Sequence, residues 1–348
     1  DLDAARGRVL RRDVLAAVDV PAFDNSAMDG FAVRFDSLRS VPQVLAVVAD
    51  LPAGTAEDPS MDATHAARIM TGAPVPTDAD TVVPFEDTRA GLRGGLDPVE
   101  VVVAPRHRGA HIRGRGSDVR AGDTVVAAGT RLTAARIAAI AASGIAVVSV
   151  SRAARVAVVS TGSELAPPGT VLERGRIPES NSLLLAGLAA EAGAEVVLRT
   201  SVADDGAALR RAIAAAESAG ADVVVLSGGV SAGAYEVVKA TLGDEMSFVQ
   251  VAMQPGRPQG FGRTAAGALL FGLPGNPVSA AVSFELFVRP ALRVLEGDAN
   301  RGRPLLPLAL AAEWQARPDR TQYVPVRIDR SGPRWMALPP VRGGAGST

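Results

Sequence analysis

Three short segments carry the residue types that anion chemistry needs: STGSEL (160–165), SGGVSAG (227–233) and GLPGNPVS (272–279). Each is rich in Gly, carries Ser, Thr or Asn, and follows an apolar run: RVAVVS, DVVVL and ALLF. Glycine lets backbone amides approach an anion closely, and a following helix offers the positive end of its dipole. Hydroxyls add donors to phosphate oxygens. One such segment reads as an ordinary tight turn. Three at the strand ends of one α/β region read as a shared site, because ligands of open α/β sheets bind beyond the carboxyl ends of the strands. No GxxxxGK[ST] P-loop and no GxGxxG fingerprint occurs, so a nicotinamide dinucleotide is disfavoured.

Carboxylates accompany the segments. Glu164 lies within the first, Asp204 and Asp205 precede a helical run, and Glu236 follows the second. Oxygen ligands beside a phosphate site suit Mg²⁺, which binds through one or two carboxylates plus phosphate oxygens. Asp204 is expected to cap the helix. Asp205 is either a partner of the helix dipole or a metal ligand, and Glu236 is expected to be a ligand. Every basic side chain except Lys239 is Arg, which marks Lys239 as a candidate substrate-binding residue.

The elements that position these residues alternate from residue 154 to 297. RVAVVS, EVVLRT, DVVVLS, FVQVAM and ALLFGL read as strands. SNSLLLAGLAAEAG (with a Ser cap), DDGAALRRAIAAAESAG, YEVVKATLG and the long NPVSAAVSFELFVRPALRVLEG read as helices. Continuous apolar strands alternating with helices predict a largely parallel sheet covered on both faces. Before this domain the chain is β-rich, with strands at FAV, 44–50, 81–85 and 99–104 between Gly/Pro-rich loops. Residues 4–18 read as a charged amphipathic helix, and Thr133 caps a helix that runs to Ser143. DNSAMDG (24–30) and RIMTGAPVPTDAD (68–80) read as polar surface loops, and RHRGAHIRGRGSD (106–118) as a basic loop. After residue 300 short strands predict a small β module, and the GGAGST end, without a closing element, is expected to continue in a longer chain. The start likewise lacks an initiator Met.

Composition narrows the function classes. With 348 residues the chain is expected to hold two or more domains. At 47% hydrophobic and 21% charged it is globular. It has no Cys, which excludes disulfides, thiolate metal sites and Cys nucleophiles. Two of the three His, His107 and His111, sit in the basic loop, so a His-based zinc site is not expected. A net charge of −1 argues against a nucleic-acid partner. No stretch reaches the roughly 18 apolar residues of a membrane span, and the start is not a signal peptide, so the expected location is the cytoplasm.

Taken in order, SAMDGFAV, RIMTGAPVP, RGSDVRAGD, VVSTGSEL, LSGGVSAGAYEVVK, QPGRPQGFG and GLPGNPVSA resemble the molybdopterin molybdenumtransferase family, the MoeA type, similar to the E domain of gephyrin. The resemblance covers nearly the whole chain. It implies an α/β plus β fold in an elongated, multidomain homodimer. The expected parts are a linker and dimerisation domain (1–20 and 117–153), a β-rich lid domain (21–116), a three-layer α/β molybdopterin-binding domain (154–297) and a C-terminal β domain (298–348). The implied reaction inserts molybdate into adenylylated molybdopterin, assisted by Mg²⁺ or Zn²⁺, with release of AMP. The implied partners are a second copy of the chain and the adenylyltransferase that supplies the substrate.

The same resemblance implies residue roles. Ser227, Gly228, Gly229, Ser231 and Gly233 would cradle the phosphate side of the pterin. Glu236, where the family usually has Asp, and Asp205 would hold the metal, with Glu164 completing the acidic cluster. Asp29 and Thr71 would reach the cleft from the other subunit, and Asp118 lies in the matching SD segment. Pro274, Gly275, Asn276, Pro277 and Ser279 would shape the cofactor and oxyanion pocket. Arg257 takes the place of a family lysine, and Arg320 and Ser347 match residues near the anion site. Gln254 stands where many members have a second lysine, which is expected to weaken attraction of molybdate. Two other readings share this fold: a dimeric scaffold without catalysis, and a member that uses tungstate, an ion of nearly the same size and charge.

Overall fold

A computed structural model describes residues 1–89, 95–230 and 236–339. The chain forms two compact units. The first comprises Asp1–Arg6, Arg12–Ala128 and Thr133–Val148, and the second Gly7–Arg11, Gly129–Leu132 and Ser149–Thr348.

The first unit is built on a five-stranded sheet in the order Thr81–Pro84, Gly30–Val33, His65–Ile69, Gln43–Leu51, Val99–Val101. Its strands bury Phe31, Val33, Leu45, Val83 and Val101 in one cluster and Ala32, Leu51, Ile69 and Val82 in another. The predicted helix over 4–18 is not formed. A helix covers only Leu2–Ala5, and Val14–Leu15 is a strand paired with Thr124–Val126. The reason is tertiary. The amides of Gly7 and Leu10 donate to the carbonyls of Leu132 and Thr130, and Val9 and Leu10 are buried against that pairing. The predicted helix capped by Thr133 is present as Ala134–Ala142, and the Thr133 side chain accepts from Arg136 N.

The second unit holds a three-layer domain. Its strands are β1 (Arg155–Thr161), β2 (Glu195–Val202), β3 (Val223–Ser227), β4 (Met246–Gln250), β5 (Pro258–Arg263) and β6 (Leu269–Leu273). They lie in the order β2-β1-β3-β6-β5-β4, parallel from β2 to β6, with β5 antiparallel to both of its neighbours. The helices are α1 (Asn181–Glu191), α2 (Gly206–Ser218), α3 (Val237–Leu242), α4 (Pro277–Ser283) and α5 (Arg289–Glu296).

Period-two alternation along the central strands sorts the core into two layers. Ala157, Val159, Val224 and Leu226 face α2 and α3 through Leu209, Ile213 and Val238. Val156, Val158, Val223 and Val225 face α1, α4 and α5 through Leu185, Ala280 and Leu292.

Three details differ from the sequence reading. β5 was not foreseen, because PQGFGR has neither apolar alternation nor β-branched residues. The long last helix is interrupted by a π turn over Phe284–Val288. Pro290 has no N–H to give the Leu286 carbonyl, which favours the wider turn. There the fully buried Arg289 makes two 2.8 Å bonds to Glu285. The Ser180 side chain does not cap α1. The buried Glu179 carboxylate does so instead, accepting from Ser182 N and Oγ at 2.7 and 2.6 Å and from Ser160 Oγ at 2.9 Å.

The rest of the second unit is a small β module. Ala309–Leu310, Met336–Leu338 and Arg327–Asp329 form a three-stranded sheet in that order. Thr321–Gln322 pairs in parallel with Met253–Gln254.

Candidate active site

The parallel strands β1, β3 and β6 end side by side, and their loops enclose a cleft of about 540 Å³. Each end is built differently. After β1, the chain turns at Gly162, whose amide donates to Val202 O, and Glu164 folds its carboxyl group back over Gly162. After β3, Gly228 N donates to Leu273 O at 3.0 Å, and Gly229 O accepts from Lys239 N. After β6, the Asn276 side chain caps α4 by accepting from Ser279 N, with Pro277 as the first helical residue. The cap occupies the Ser279 amide and Pro277 has no N–H, so this end of α4 offers an anion its dipole rather than a row of free amides.

Gly228 is the tightest point. Its φ is +93°, and a Cβ there would lie 2.5 Å from the Thr161 carbonyl oxygen. Gly228→Ala is therefore expected to cost about 2 kcal/mol of stability and to open the cleft. Chemical denaturation and nucleotide binding check this. An alanine variant with wild-type stability and affinity would show that the loop does not depend on the close approach.

The structure brings most of the predicted cleft residues together. Glu164, Ser227, Gly228, Gly229 and Glu236 line the cleft, as do Pro274, Gly275, Asn276, Pro277 and Ser279. Glu236 stands at the start of α3 with no side-chain cap bond. Ser231 and Gly233, and Ser347 near the end, lie outside the described residues.

The aspartate pair is reversed from expectation. Asp205 caps α2, its Oδ1 accepting from Ala207 N at 2.8 Å, and does not line the cleft. Asp204 lines it, held by Ser163 N on its Oδ2 at 2.9 Å and donating its own amide to Ser163 Oγ. The helix begins one residue later than the sequence suggested, so the cap and the cleft acid exchange places. The Lys239 side chain is exposed and outside the lining; only its backbone amide takes part.

Arg257 and Arg320 meet in a second recess of about 110 Å³, where Asp319 pairs with Arg320. That bond raises the guanidinium pKa. Gln254 and Arg320 both line an adjoining groove with Trp314 and Arg317, and the Gln254 Oε1 is buried without a hydrogen-bond partner.

The remaining predicted residues belong to the first unit. Asp29 accepts from both Thr71 N and Thr71 Oγ1 at 2.7 Å, and these bonds hold its carboxyl below the usual range. The two predicted surface loops are thus joined through this pair. Asp118 pairs with Arg113 at 2.7 Å. In the predicted basic loop Arg108 and Arg115 are likewise paired, with Asp36 and Asp80 and with Asp19.

Sequence reasoning missed Glu179 and Asn181. Both line the cleft from the start of α1. Asn181 Nδ2 donates to Ser227 Oγ at 2.9 Å and to Gly275 O at 2.7 Å, tying the end of β3 to the loop after β6. The available signal was the PESNS stretch, whose acid and Asn precede the apolar run of α1.

A divalent cation can be tested against this donor set. Among the described residues no group of three or more His, Cys, Asp or Glu forms a metal cage. Glu164, Asp204 and Glu236 nevertheless all face the cleft. Mg²⁺ is held by one or two carboxylates plus substrate phosphates, which these residues allow. Zn²⁺ prefers a tetrahedral N/S set, which the cleft does not offer.

Comparison with known proteins agrees with this geometry. The family model "MoeA N-terminal region (domain I and II)" matches residues 1–144, and "Probable molybdopterin binding domain" matches residues 157–294. Molybdopterin molybdenumtransferase 2 of Mycobacterium tuberculosis is 47% identical over 334 residues, covering 92% of this chain and 81% of that protein. A molybdopterin molybdenumtransferase from a Nostoc species is 40% identical over 314 residues, covering 88% and 71%. The crystal structure of the molybdopterin biosynthesis moeA protein from Pyrococcus horikoshii superposes with a TM-score of 0.81 at 28% identity, covering 100% of this chain and 85% of that one. With a shared site at the ends of β1, β3 and β6 and relatives that span almost its full length, the chain belongs to the molybdopterin molybdenumtransferase family of molybdenum cofactor biosynthesis.

Proposed function

We propose that this chain inserts molybdate into adenylylated molybdopterin and releases AMP. The observation that carries the reading is the cleft itself: three Gly-rich strand ends and the N-terminus of α4 converge on one space bordered by carboxylates. Backbone amides at Gly229 and Gly275 suit phosphoryl oxygens, and the wall of Leu165, Ile177, Pro178 and Val230 suits a flat heterocycle.

In this reading the loops bind the phosphate side and hold the anhydride in place. Glu236 and Asp204 would hold Mg²⁺ together with phosphate oxygens, offsetting the charge that develops as the anhydride breaks. An oxygen of molybdate or of water attacks phosphorus, and AMP departs. The substrate's own sulfurs receive the metal, so the chain needs no Cys. Asp29 and Thr71 would act from a second copy of the chain in a homodimer. A molybdopterin adenylyltransferase would supply the substrate, in the cytoplasm.

The test is to titrate molybdate into purified protein with adenylylated molybdopterin and Mg²⁺ while following AMP. Molybdate-dependent release supports the reading. Tight binding without release at any molybdate level would contradict it.

Gln254 gives a second test. Gln254→Lys restores a cation and removes a buried unpartnered acceptor, and it is expected to lower the molybdate concentration for half-maximal release roughly tenfold. An unchanged molybdate dependence would show that this groove does not meet the oxyanion.

A further inference from the structure

Asn181 opens α1, and its carboxamide makes bonds that starting a helix does not require. Nδ2 donates to Ser227 Oγ at 2.9 Å and to Gly275 O at 2.7 Å. A backbone carbonyl can only accept, so the nitrogen, and not the oxygen, must face these partners. The orientation of the amide is therefore fixed by its neighbours. Both nitrogen hydrogens are committed.

The consequence falls on Ser227. Its Oγ accepts a hydrogen bond from Asn181 Nδ2, so its own O–H is turned to donate elsewhere. Ser227 lines the cleft, and among the described residues Asn181 is the side-chain partner of its hydroxyl. The hydroxyl is left as a donor at the place where the loops converge. Meanwhile the Asn181 Oδ1 is buried without a partner, an unfavourable arrangement for an amide. The side chain is thus held by what its nitrogen does.

We propose that Asn181 is a positioning residue that fixes Ser227, the last residue of β3, as a hydrogen-bond donor to a phosphoryl oxygen of the ligand. This rests on the reading of the cleft as the site of the pterin nucleotide. Asp at this position would reverse the polarity, accepting from Ser227 and setting an anionic oxygen against Gly275 O.

The experiment measures the Kd of adenylylated molybdopterin for the full chain and for Asn181→Ala, Asn181→Asp, Ser227→Ala and the Asn181→Ala/Ser227→Ala double variant, with thermal melts to establish folding. Asn181→Ala and Ser227→Ala are each expected to weaken binding roughly 10- to 100-fold. Asn181→Asp is expected to weaken it at least as much. The double variant should be no more than about threefold worse than Ser227→Ala alone, because Asn181 acts through that hydroxyl. Multiplying effects, or wild-type affinity in Asn181→Asp, would overturn the inference. Binding without AMP release in the wild type would overturn the proposed reaction and leave this inference standing. No binding by the wild type would overturn both.

Discussion

Replacing Glu236 by alanine is expected to lower molybdate-dependent AMP release by about 10²- to 10³-fold, the range seen when one group that stabilises developing charge is removed. The side chain stands at the first turn of α3, beside the loop that follows β3, and faces the cleft. If it helps to hold Mg²⁺, the residual activity should also need a higher Mg²⁺ concentration. Glu236→Asp shortens the reach by one methylene but keeps the charge, so it should retain most of the rate. This separates a role for the carboxylate from a role in packing. Wild-type release by Glu236→Ala at ordinary Mg²⁺ would remove this residue from the mechanism.

The second large effect is expected at Glu179. Burial alone would push its carboxyl pKa up. The bonds from Ser182 Oγ and N, from Ser160 Oγ and from the Asn181 backbone N–H outweigh burial and hold it below the usual value. Glu179→Ala leaves these donors without their acceptor at the C-terminal end of β1 and the start of α1. A loss of roughly 3 kcal/mol follows from several buried donors left unpaired.

The sign of the pH dependence is set by the same shift. A folded-state pKa below the unfolded one contributes stability that is fully present above about pH 4.3 and is lost as pH falls through the folded value. The difference between wild type and Glu179→Gln, measured by urea denaturation, should therefore be constant near neutrality and shrink in acid. A difference that grew as pH fell would contradict the assignment. Asn181 starts α1 two residues after Glu179, so loss of the carboxylate should also weaken nucleotide binding.

The α/β domain was legible because its signals agree. Apolar runs such as RVAVVS and DVVVLS are too short and too β-branched for helices, and Gly or Asp marks the helix ends. The strand ends of an α/β sheet are where a ligand sits, so the Gly-rich segments point to the cleft from sequence alone. Other features depend on information that local pattern does not carry. The segment 4–18 has helical spacing, but Val9, Leu10 and Val14 pair with distant residues and are buried there. β5 is a strand because β6 and β4 flank it, not because PQGFGR prefers to be one.

Asp204 and Asp205 show the limit at the site. Adjacent identical residues at a helix start differ in role by a single residue of register, which sequence cannot fix. PESNS looks like an ordinary Ser cap, so local pattern does not single out Glu179 or Asn181. Only the fold reveals that the acid caps the helix and that the amide joins the end of β3 to the loop after its neighbour β6.

The most direct measurement is the structure of this chain with adenylylated molybdopterin bound. The phosphates are expected between the ends of β3 and β6, within hydrogen-bond distance of Ser227 Oγ and the Gly229 and Gly275 amides, with the Glu236 carboxylate on the same side. Phosphates seated instead in the recess of Arg257 and Arg320, with the strand-end cleft vacant, would contradict it.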